Sequence, residues 1–536
     1  MVVKPTVSWA LLHALTITFV LINLFTGLRI ATLSRPWLLE LSALLPQGAL
    51  HWLHILGGCG LSATVIAYLL YRVNQPTQYE TSTTKVTKTF SDKYHTGVTW
   101  LAYLLVILAL VTGWLQFFDS ELSVVDIHFY AALGFLLYLL LHAGGYFIQY
   151  GWAAFTRVFA PKTTNSKPSW FIVFPTVAGL ILWYGIGYQP SNDLPVKNIP
   201  LTTLITIDGI ANEQVWNRAN GITIMTRGGA NFTNGETPVT IKVLENGTEA
   251  FFNITWQDTS ESLAHLPLVK TRQGWQIKQN GFKQFDETAY YEDKLAIMLA
   301  NQCSPGGGGT AHLGPKPLAN RPANFHGKGY HYTNDGKVRD IWHWKAVRTN
   351  NMYLADDNFF GPPVTPRAGD RRYTAGYIAD GKESGAYVMN WQWYKPQVIV
   401  PKRLPKHDHL IAPYQPDKQR VQQADQKTDH LPWVISWFDY TPYLVENDHY
   451  PIGTVMPSVM YRSNRFEGDR AHVRAHGQWK DGKWTLEIAR PLNTQSQHDI
   501  ILQTGTCLWV SAFDHSQIAH TRHQQAARLL FEDNHD

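Results

Sequence analysis

Five long apolar stretches near the start of this 536-residue chain constrain its fold more than any other feature. Each is long enough to cross a hydrocarbon core of about 30 Å, and a backbone in lipid must satisfy its hydrogen bonds within a helix. Only 16 charged residues fall in 1–190, against 71 in 191–536. We therefore predict five transmembrane helices over 1–190, at Trp9 to Ile30, Leu50 to Tyr71, Tyr94 to Phe117, Ile127 to Tyr150 and Trp170 to Tyr188.

Loop charges predict the orientation of these helices. Basic residues are concentrated before the first span and after the second and fourth, and they predict a cytoplasmic N-terminus by the positive-inside rule: Lys4, Arg72, Lys85, Lys88, Lys93, Arg157, Lys162 and Lys167. Five crossings then put residues 191–536 on the outer side. The sequence thus predicts a multi-pass protein of a bacterial inner membrane, in contact with lipid, with a periplasmic C-terminal domain.

The ionisable residues predicted inside the spans are mainly histidines: His13, His51, His54, His95, His128 and His142. Such residues are functional candidates, and neutral imidazole is a preferred ligand of haem iron. His128 and His142 are 14 residues apart, so they share a helix face at depths about 21 Å apart. The predicted topology pairs His54 with His128 near the outer side and His13 with His142 near the inner side. Two haem b groups are the expected cofactors.

Two assignments stay open at this stage. His51 and His54 lie on one face at i and i+3, so periodicity alone does not choose between them. We favour His54, because Gly57, Gly58 and Gly60 follow it and would let a flat macrocycle approach the backbone. His95 has no partner at its depth, and it serves either a quinone pocket or the membrane interface.

The membrane region resembles the di-haem cytochrome b subunits of respiratory formate dehydrogenases and nickel-iron hydrogenases. The matching stretches are SWALLHALTITFVLINLFTGL, HWLHILGG and DIHFYAALGFLLYLLLHAGGYF, and the 14-residue histidine spacing is the most specific feature. The resemblance implies electron transfer across the membrane and exchange with the quinone pool.

Residues 191–536 have the pattern of a separate soluble domain. Short alternating runs such as VTIKVLENGTEAFFNITW and WTLEIARPL, separated by Gly, Asn and Asp turns, predict an all-β antiparallel sandwich. The domain has 36 basic and 35 acidic residues, and this near-neutral balance argues against nucleic acid as a partner. If the domain is exported, Cys303 and Cys507 are candidates for a single disulfide.

Most of this domain resembles the haem-binding domain of ethylbenzene dehydrogenase gamma subunits. The resemblance rests on YEDKLAIMLANQC at 291–303, GKVRDIWHWKAVR at 336–348, ITWQDTS at 254–260 and KWTLEIARPL. It implies a third haem b held between a lysine and a methionine. The local motifs assign these ligands to Lys345 and Met298, with His331 as the alternative to Met298.

The sequence as a whole predicts a membrane-anchored b-type cytochrome that transfers electrons between the quinone pool and a periplasmic redox protein or catalytic subunit. Two alternatives belong to other classes. One is a ligand-binding or sensor sandwich domain on a membrane anchor, and the other is a terminal reductase acting on a small oxidant or metal ion.

Overall fold

The chain divides into two compact units, Met1–Pro190 and Ser191–Asp536. The coordinates are a computed structural model. It describes residues 7–32, 35, 37–38, 41, 44–46, 50–73, 90–118, 124–159, 177–179, 181–182, 184–185, 192–278, 290–304, 310–313, 330–333, 335–365, 375–380, 387–391, 393–395, 398–406, 412–413, 434–438, 440–463 and 467–532.

The first unit is helical. Among its described residues, four helices are long and apolar enough to span a membrane, and a short helix follows them: α1 (Val7–Ala31), α2 (Leu50–Val73), α3 (Phe90–Phe117), α4 (Val125–Tyr150) and α5 (Ala153–Phe159). The predicted fifth span, Trp170 to Tyr188, lies mainly outside the described residues, and its described part forms no helix of spanning length. The structure therefore has four such helices where the sequence predicted five.

Helices α1 and α2 pack against each other, as do α3 and α4, and α1 also contacts α4. A Cβ atom on Gly57 would lie 2.9 Å from the Asn23 side chain, and one on Gly60 would lie 2.3 Å from Phe19. These two glycines thus admit side chains of α1, whereas a Cβ atom on Gly58 would meet nothing within 4 Å, so the prediction of open space is wrong for Gly57 and Gly60 and holds for Gly58 alone. Arg29 lies in the last turn of α1 and is only 2% exposed.

The second unit is built from strands, with a few short 3-10 helices at Gln214–Arg218, Thr233–Gly235, Asn350–Met352, Val445–Asn447 and Asp469–Ala471. The described strands are β1 (Asn192–Asn198), β2 (Ile222–Arg227), β3 (Glu236–Glu245), β4 (Glu249–Gln257), β5 (Leu268–Thr271), β6 (Gly274–Ile277), β7 (Lys294–Ala300), β8 (Thr310–Leu313), β9 (Tyr330–Thr333), β10 (Arg339–Lys345), β11 (Asp356–Phe360), β12 (Tyr377–Ala379), β13 (Tyr387–Met389), β14 (Trp393–Lys395), β15 (Val398–Val400), β16 (Arg403–Pro405), β17 (Ala412–Pro413), β18 (Val434–Ile435), β19 (Tyr440–Pro442), β20 (Thr454–Met456), β21 (Val459–Tyr461), β22 (Arg474–Lys480), β23 (Lys483–Pro491), β24 (Cys507–Phe513) and β25 (Ala527–Phe531).

The largest sheet has 12 described strands in the order β12-β11-β10-β7-β24-β25-β1-β3-β4-β23-β22, with β2 beside β3. Its two halves face each other, because side chains from strands far apart in this order are in contact. Trp344 of β10 has its ring centre 5.9 Å from that of Trp256 on β4 and 5.0 Å from that of Trp484 on β23. Alternate apolar residues of both halves fill one core, so the domain has the two-layer form predicted from the alternating pattern.

The prediction of an antiparallel sandwich was wrong at two places among the described strands, because β18 pairs in parallel with β21 and β1 also has parallel neighbours. Strand β1 pairs in parallel with both β25 and β3. The chain enters the domain through β1, which therefore joins the two halves of the sheet. Cys303 and Cys507 form the predicted disulfide. The glycine-rich loop 305–309 lies outside the described residues.

Candidate functional site

The helical unit brings His54 of α2 and His128 of α4 together. Their ring centres are 6.1 Å apart and the ring planes are nearly perpendicular, at 86°. Two imidazoles that hold one metal ion between them at about 2 Å have ring centres roughly 6 Å apart, so this spacing would allow both rings to hold one metal-containing group.

Hydrogen bonds fix the protonation state of both rings. The Thr26 hydroxyl lies 2.9 Å from His54 Nδ1 and donates its single proton to the Ile22 carbonyl at 2.6 Å. It must therefore accept a hydrogen bond from Nδ1–H, which leaves the lone pair on His54 Nε2. This tautomer is the one that binds a metal through Nε2.

The same arrangement recurs at His128. The Thr112 hydroxyl donates to the Leu108 carbonyl at 2.6 Å and lies 3.0 Å from His128 Nδ1. His128 thus also carries its proton on Nδ1. The donor set fits haem iron, because both rings of the pair present an unprotonated Nε2.

A Thr-Gly pair supports each of these histidines. A Cβ atom on Gly27 would lie 3.0 Å from His54 Cε1, and one on Gly113 would lie 3.2 Å from His128 Cε1. The helix pairs α1–α2 and α3–α4 therefore contain the same arrangement, in which a threonine orients an imidazole and the next residue, a glycine, makes room for it. This arrangement was not predicted from the sequence, although FTGL at 25–28 and VTGW at 111–114 carry the signal.

The second pair joins His13 of α1 with His142 of α4. Their ring centres are 6.2 Å apart with an interplanar angle of 46°. Trp9 stacks on His13 at 4.9 Å, and Tyr138 stacks on His142 at 5.2 Å. Aromatic rings thus hold both imidazoles, and the spacing matches that of the first pair.

The other two histidines of the spans take different positions. His95 Nε2 lies 2.8 Å from Gln149 Oε1, and its ring packs on Tyr146 at 4.4 Å. His51 is near enough to His54 to affect it electrostatically, but the ring that faces His128 is that of His54.

In the β domain the predicted ligands share one face of the main sheet. Met298 lies opposite Ile341 in the register of β7 and β10, and Lys345 lies opposite Lys294. Directly opposed residues project to the same side, so Met298, Lys294, His343 and Lys345 occupy one face, which we call the lysine face. The Met298 and Lys345 positions are four residues apart along the strands, roughly 13 Å.

Lys345 is buried on this face and engaged by polar partners. Its ammonium group forms an ion pair with Asp356 and donates to the Tyr387 hydroxyl at 3.0 Å. Burial lowers the pKa of Lys345, while Asp356 opposes this shift. Asp356 also pairs with Arg470, and the two cations hold the pKa of Asp356 below its usual range despite burial. Since only a neutral amine binds iron, Lys345 must leave Asp356 to act as a ligand.

Met298 and His331 both lie toward the other end of the lysine face. Met298 is half-buried and packs beside Trp509 and the Cys303–Cys507 disulfide. His331 stacks on Phe360, with ring centres 5.3 Å apart, and its side chain is exposed. The structure therefore leaves both as possible partners across the face from Lys345.

His343 lies between these ends and was not chosen as a ligand from the sequence. Its Nε2 atom is buried and has no hydrogen-bond partner among the described residues. Burial and the neighbouring Lys345 lower the pKa of His343 well below its usual value, so the ring is neutral. A buried nitrogen of this kind fits a face that receives a polar or metal-containing group.

Comparison with known families agrees with the resemblance of the β domain. A family model described as ethylbenzene dehydrogenase matches residues 213–525, which is more than half of the chain. The chain therefore belongs to the ethylbenzene dehydrogenase family, and that family is associated with redox cofactors. The matched region contains Met298, His331, His343 and Lys345.

Two solved structures show weak likeness. One is a protein from Bacteroides uniformis ATCC 8492 provisionally described as carbohydrate-binding, with 10% identity and a TM-score of 0.24, covering 64% of this chain and 100% of that one. The other is a family 9 carbohydrate-binding module from Caldicellulosiruptor kristjanssonii in complex with glucose, with 8% identity, a TM-score of 0.22 and coverage of 64% and 97%. Scores this low carry no inference about ligand. A search of curated proteins found no match.

Proposed function

We propose that the protein is a membrane-anchored b-type cytochrome that transfers electrons between the quinone pool and a redox protein or catalytic subunit outside the cytoplasm. The observation that carries the proposal is the pairing of His54 with His128 and of His13 with His142, each at about 6 Å between ring centres. When bound, haem irons supply one-electron transfer.

In this proposal the helical unit holds two haem b groups. His54 and His128 present Nε2 to one, and Thr26 and Thr112 keep both rings in the required tautomer. His13 and His142 hold the other. The two sites lie about 21 Å apart along α4, measured between the ligands His128 and His142.

The proposal includes a third haem b on the lysine face of the β domain, between Lys345 and either Met298 or His331. The proposal is supported by family membership and by the placement of Lys345 and Met298 toward opposite ends of this face. Asp356 forms an ion pair with Lys345 while Lys345 is charged. Burial lowers the pKa of Lys345, which makes it easier for the lysine to lose its proton and leave Asp356 as a neutral amine.

We also propose a fifth transmembrane span at 170–188, which keeps the β domain in the periplasm when the N-terminus is cytoplasmic. Thiol labelling of single cysteines placed at Lys4 and at the exposed position Asp193 in intact cells tests this. Labelling of the second position alone by a membrane-impermeant reagent is expected. Labelling of both or of neither contradicts the orientation.

The experiment that tests the electron-transfer function is a pyridine haemochrome assay on single variants of the full chain. His54→Ala, His128→Ala, His13→Ala and His142→Ala should each lose about one haem per chain. His51→Ala is the matched control, because it removes an imidazole one turn from His54, and it should retain the wild-type content. Equal haem loss in the control and in His54→Ala would contradict the assignment.

For the β domain, Lys345→Ala should remove one haem and leave the two membrane haems in place. Comparison of Met298→Ala with His331→Ala then decides the second ligand, because only the variant that lacks the true ligand changes the spectrum of that haem. Unchanged haem content in Lys345→Ala would refute the third site.

A further inference from the structure

A second group of buried polar residues lies on the core side of β10 and β11, away from the lysine face. Asp340 of β10 and Asp357 of β11 project inward, Asp380 directly follows β12, and Asp499 precedes β24. Asp340, Asp357 and Asp380 are 0% exposed, and the Asp499 side chain is 2% exposed. Four carboxyl groups are therefore enclosed between the two layers of the sandwich.

The positive charge near these groups is small. Among the described residues, Arg490 of β23 is the cation that pairs with them: its Nη2 lies 2.9 Å from Asp340 Oδ2 and 3.0 Å from Asp499 Oδ2. One guanidinium faces four carboxyl groups. Asp357 and Asp380 have no ion pair within the described chain, although burial of a lone carboxylate is strongly unfavourable.

Six carboxylate oxygens of this group are buried and accept no hydrogen bond from any described residue. They are both oxygens of Asp357, both oxygens of Asp380, Asp340 Oδ1 and Asp499 Oδ1. So many unsatisfied carboxylate oxygens in one place indicate a binding site for a cation.

We propose that Asp340, Asp357, Asp380 and Asp499 bind one Ca²⁺ ion. Ca²⁺ takes six to eight oxygen ligands, and carboxylates bind it through one or both oxygens. The ligand atoms of Asp357, Asp499 and His472 lie within 4.8 Å of one another, which is close enough to share one ion, and Asp340 and Asp380 lie outside this set of three. A surface cleft of about 300 Å³ has Asp499 in its wall.

His472 lies at the rim of this site. Its Nδ1 is 3.3 Å from Asp499 Oδ2, and its side chain is 25% exposed. Imidazole favours Zn²⁺ and related metals, whereas carboxylate oxygens favour Ca²⁺. The ligand set is mainly carboxylate, so we assign Ca²⁺ and give His472 the role of orienting Asp499.

Asp293, which belongs to a second acidic group in the domain, lacks this need for a cation. Asp293 is also buried, but its Oδ2 accepts from the Ser262 backbone N–H at 2.7 Å and its Oδ1 accepts from that of His515 at 2.9 Å. Both oxygens of Asp293 are satisfied by the protein. Asp357, by contrast, has neither oxygen satisfied among the described residues.

The test uses the purified full chain in detergent, stripped with a chelator and returned to chelator-free buffer. We expect about one Ca²⁺ per chain by mass spectrometry after reloading, and a rise of at least about 5 °C in the tryptophan-fluorescence unfolding midpoint. Asp357→Asn should weaken Ca²⁺ binding at least about tenfold, because affinity depends on the number of charged ligands. Asp193→Asn, at an exposed position on β1, is the matched control and should bind as the wild type does.

No Ca²⁺ on the reloaded wild type, or an equal midpoint shift in Asp357→Asn, would overturn the proposal. If Asp357→Asn fails to fold, Tb³⁺ luminescence sensitised by Trp342 in the wild type decides, since the Trp342 ring lies 5.2 Å from the Arg490 guanidinium carbon. Saturable emission displaced by Ca²⁺ supports the site, and its absence refutes it. Binding of Zn²⁺ but not Ca²⁺, lost in His472→Gln, would overturn the Ca²⁺ assignment.

Discussion

Replacing Thr26 or Thr112 by valine tests the tautomer argument directly. Valine keeps the shape of threonine and removes the hydroxyl that accepts the hydrogen bond from His54 or His128 Nδ1, at 2.9 and 3.0 Å. Loss of a group that orients a metal ligand typically costs 10- to 100-fold in metal affinity, or about 1.4 to 2.7 kcal/mol. We expect each variant to bind haem more weakly by about that amount.

The reduction potential should change in a defined direction. A hydrogen bond from Nδ1–H makes imidazole a stronger donor, which favours ferric iron, so its loss should raise the midpoint potential. If the ferric state loses tenfold more affinity than the ferrous state, the potential rises by about 59 mV. Spectroelectrochemical titration of the full chain measures this shift, and dilution followed by haemochrome assay measures haem retention.

Thr18→Val is the matched control for these variants. Thr18 is on the same helix as Thr26 and donates to the Ala14 carbonyl at 2.9 Å, so its replacement removes the same kind of bond to the backbone without touching His54. If Thr26→Val and Thr112→Val match Thr18→Val in haem retention and potential, the reasoning about the tautomer is refuted.

Three further predictions concern the β domain. Burial and nearby Asp514 raise the pKa of Asp258 to about 8 from 3.8, so the stability that its protonated form contributes is lost as pH rises through about 8. The free energy of unfolding, measured with urea, should therefore fall between pH 5 and pH 9 by less in Asp258→Asn than in the wild type. An equal fall in both proteins would exclude this carboxyl group as the cause. The Cys303–Cys507 disulfide closes a loop of 204 residues, so its removal by double serine substitution should lower the free energy of unfolding by about 3 to 5 kcal/mol, and a loss below about 1 kcal/mol would contradict the loop argument. Asp356→Asn, assayed on the full chain, should lower the pKa of Lys345 and favour haem binding on the lysine face, whereas reduced binding would mean that Asp356 is needed for it.

The sequence predicted the histidine pairs because helix spacing and the predicted topology together determine which faces and depths meet. A spacing of 14 residues puts His128 and His142 on one face, and loop charges set the depth of His54 and His13. The Thr-Gly pairs were missed, because a threonine in an apolar span usually bonds to its own helix. The Thr26 hydroxyl also donates to its own helix, at the Ile22 carbonyl. Only the packing of α1 on α2 brings the Thr26 oxygen close enough to accept a hydrogen bond from His54.

The β domain shows a different limit. Strand alternation predicted the two layers, but the parallel pairing of β1 depends on where the chain enters the sheet. Likewise, Asp340, Asp357, Asp380 and Asp499 are up to 159 residues apart in the chain, and no local spacing connects them. Sheet register brings them together, and register is a property of tertiary structure.

The central claim is that this chain is a three-haem b-type cytochrome. The most direct measurement is the ratio of haem to protein in the purified full chain, by pyridine haemochrome assay, with reduced-minus-oxidised spectra. We predict about three haem b per chain, all reducible. A chain that contains no haem when expressed with a full haem supply would contradict the account, and two haems unaffected by Lys345→Ala would remove the third site from it.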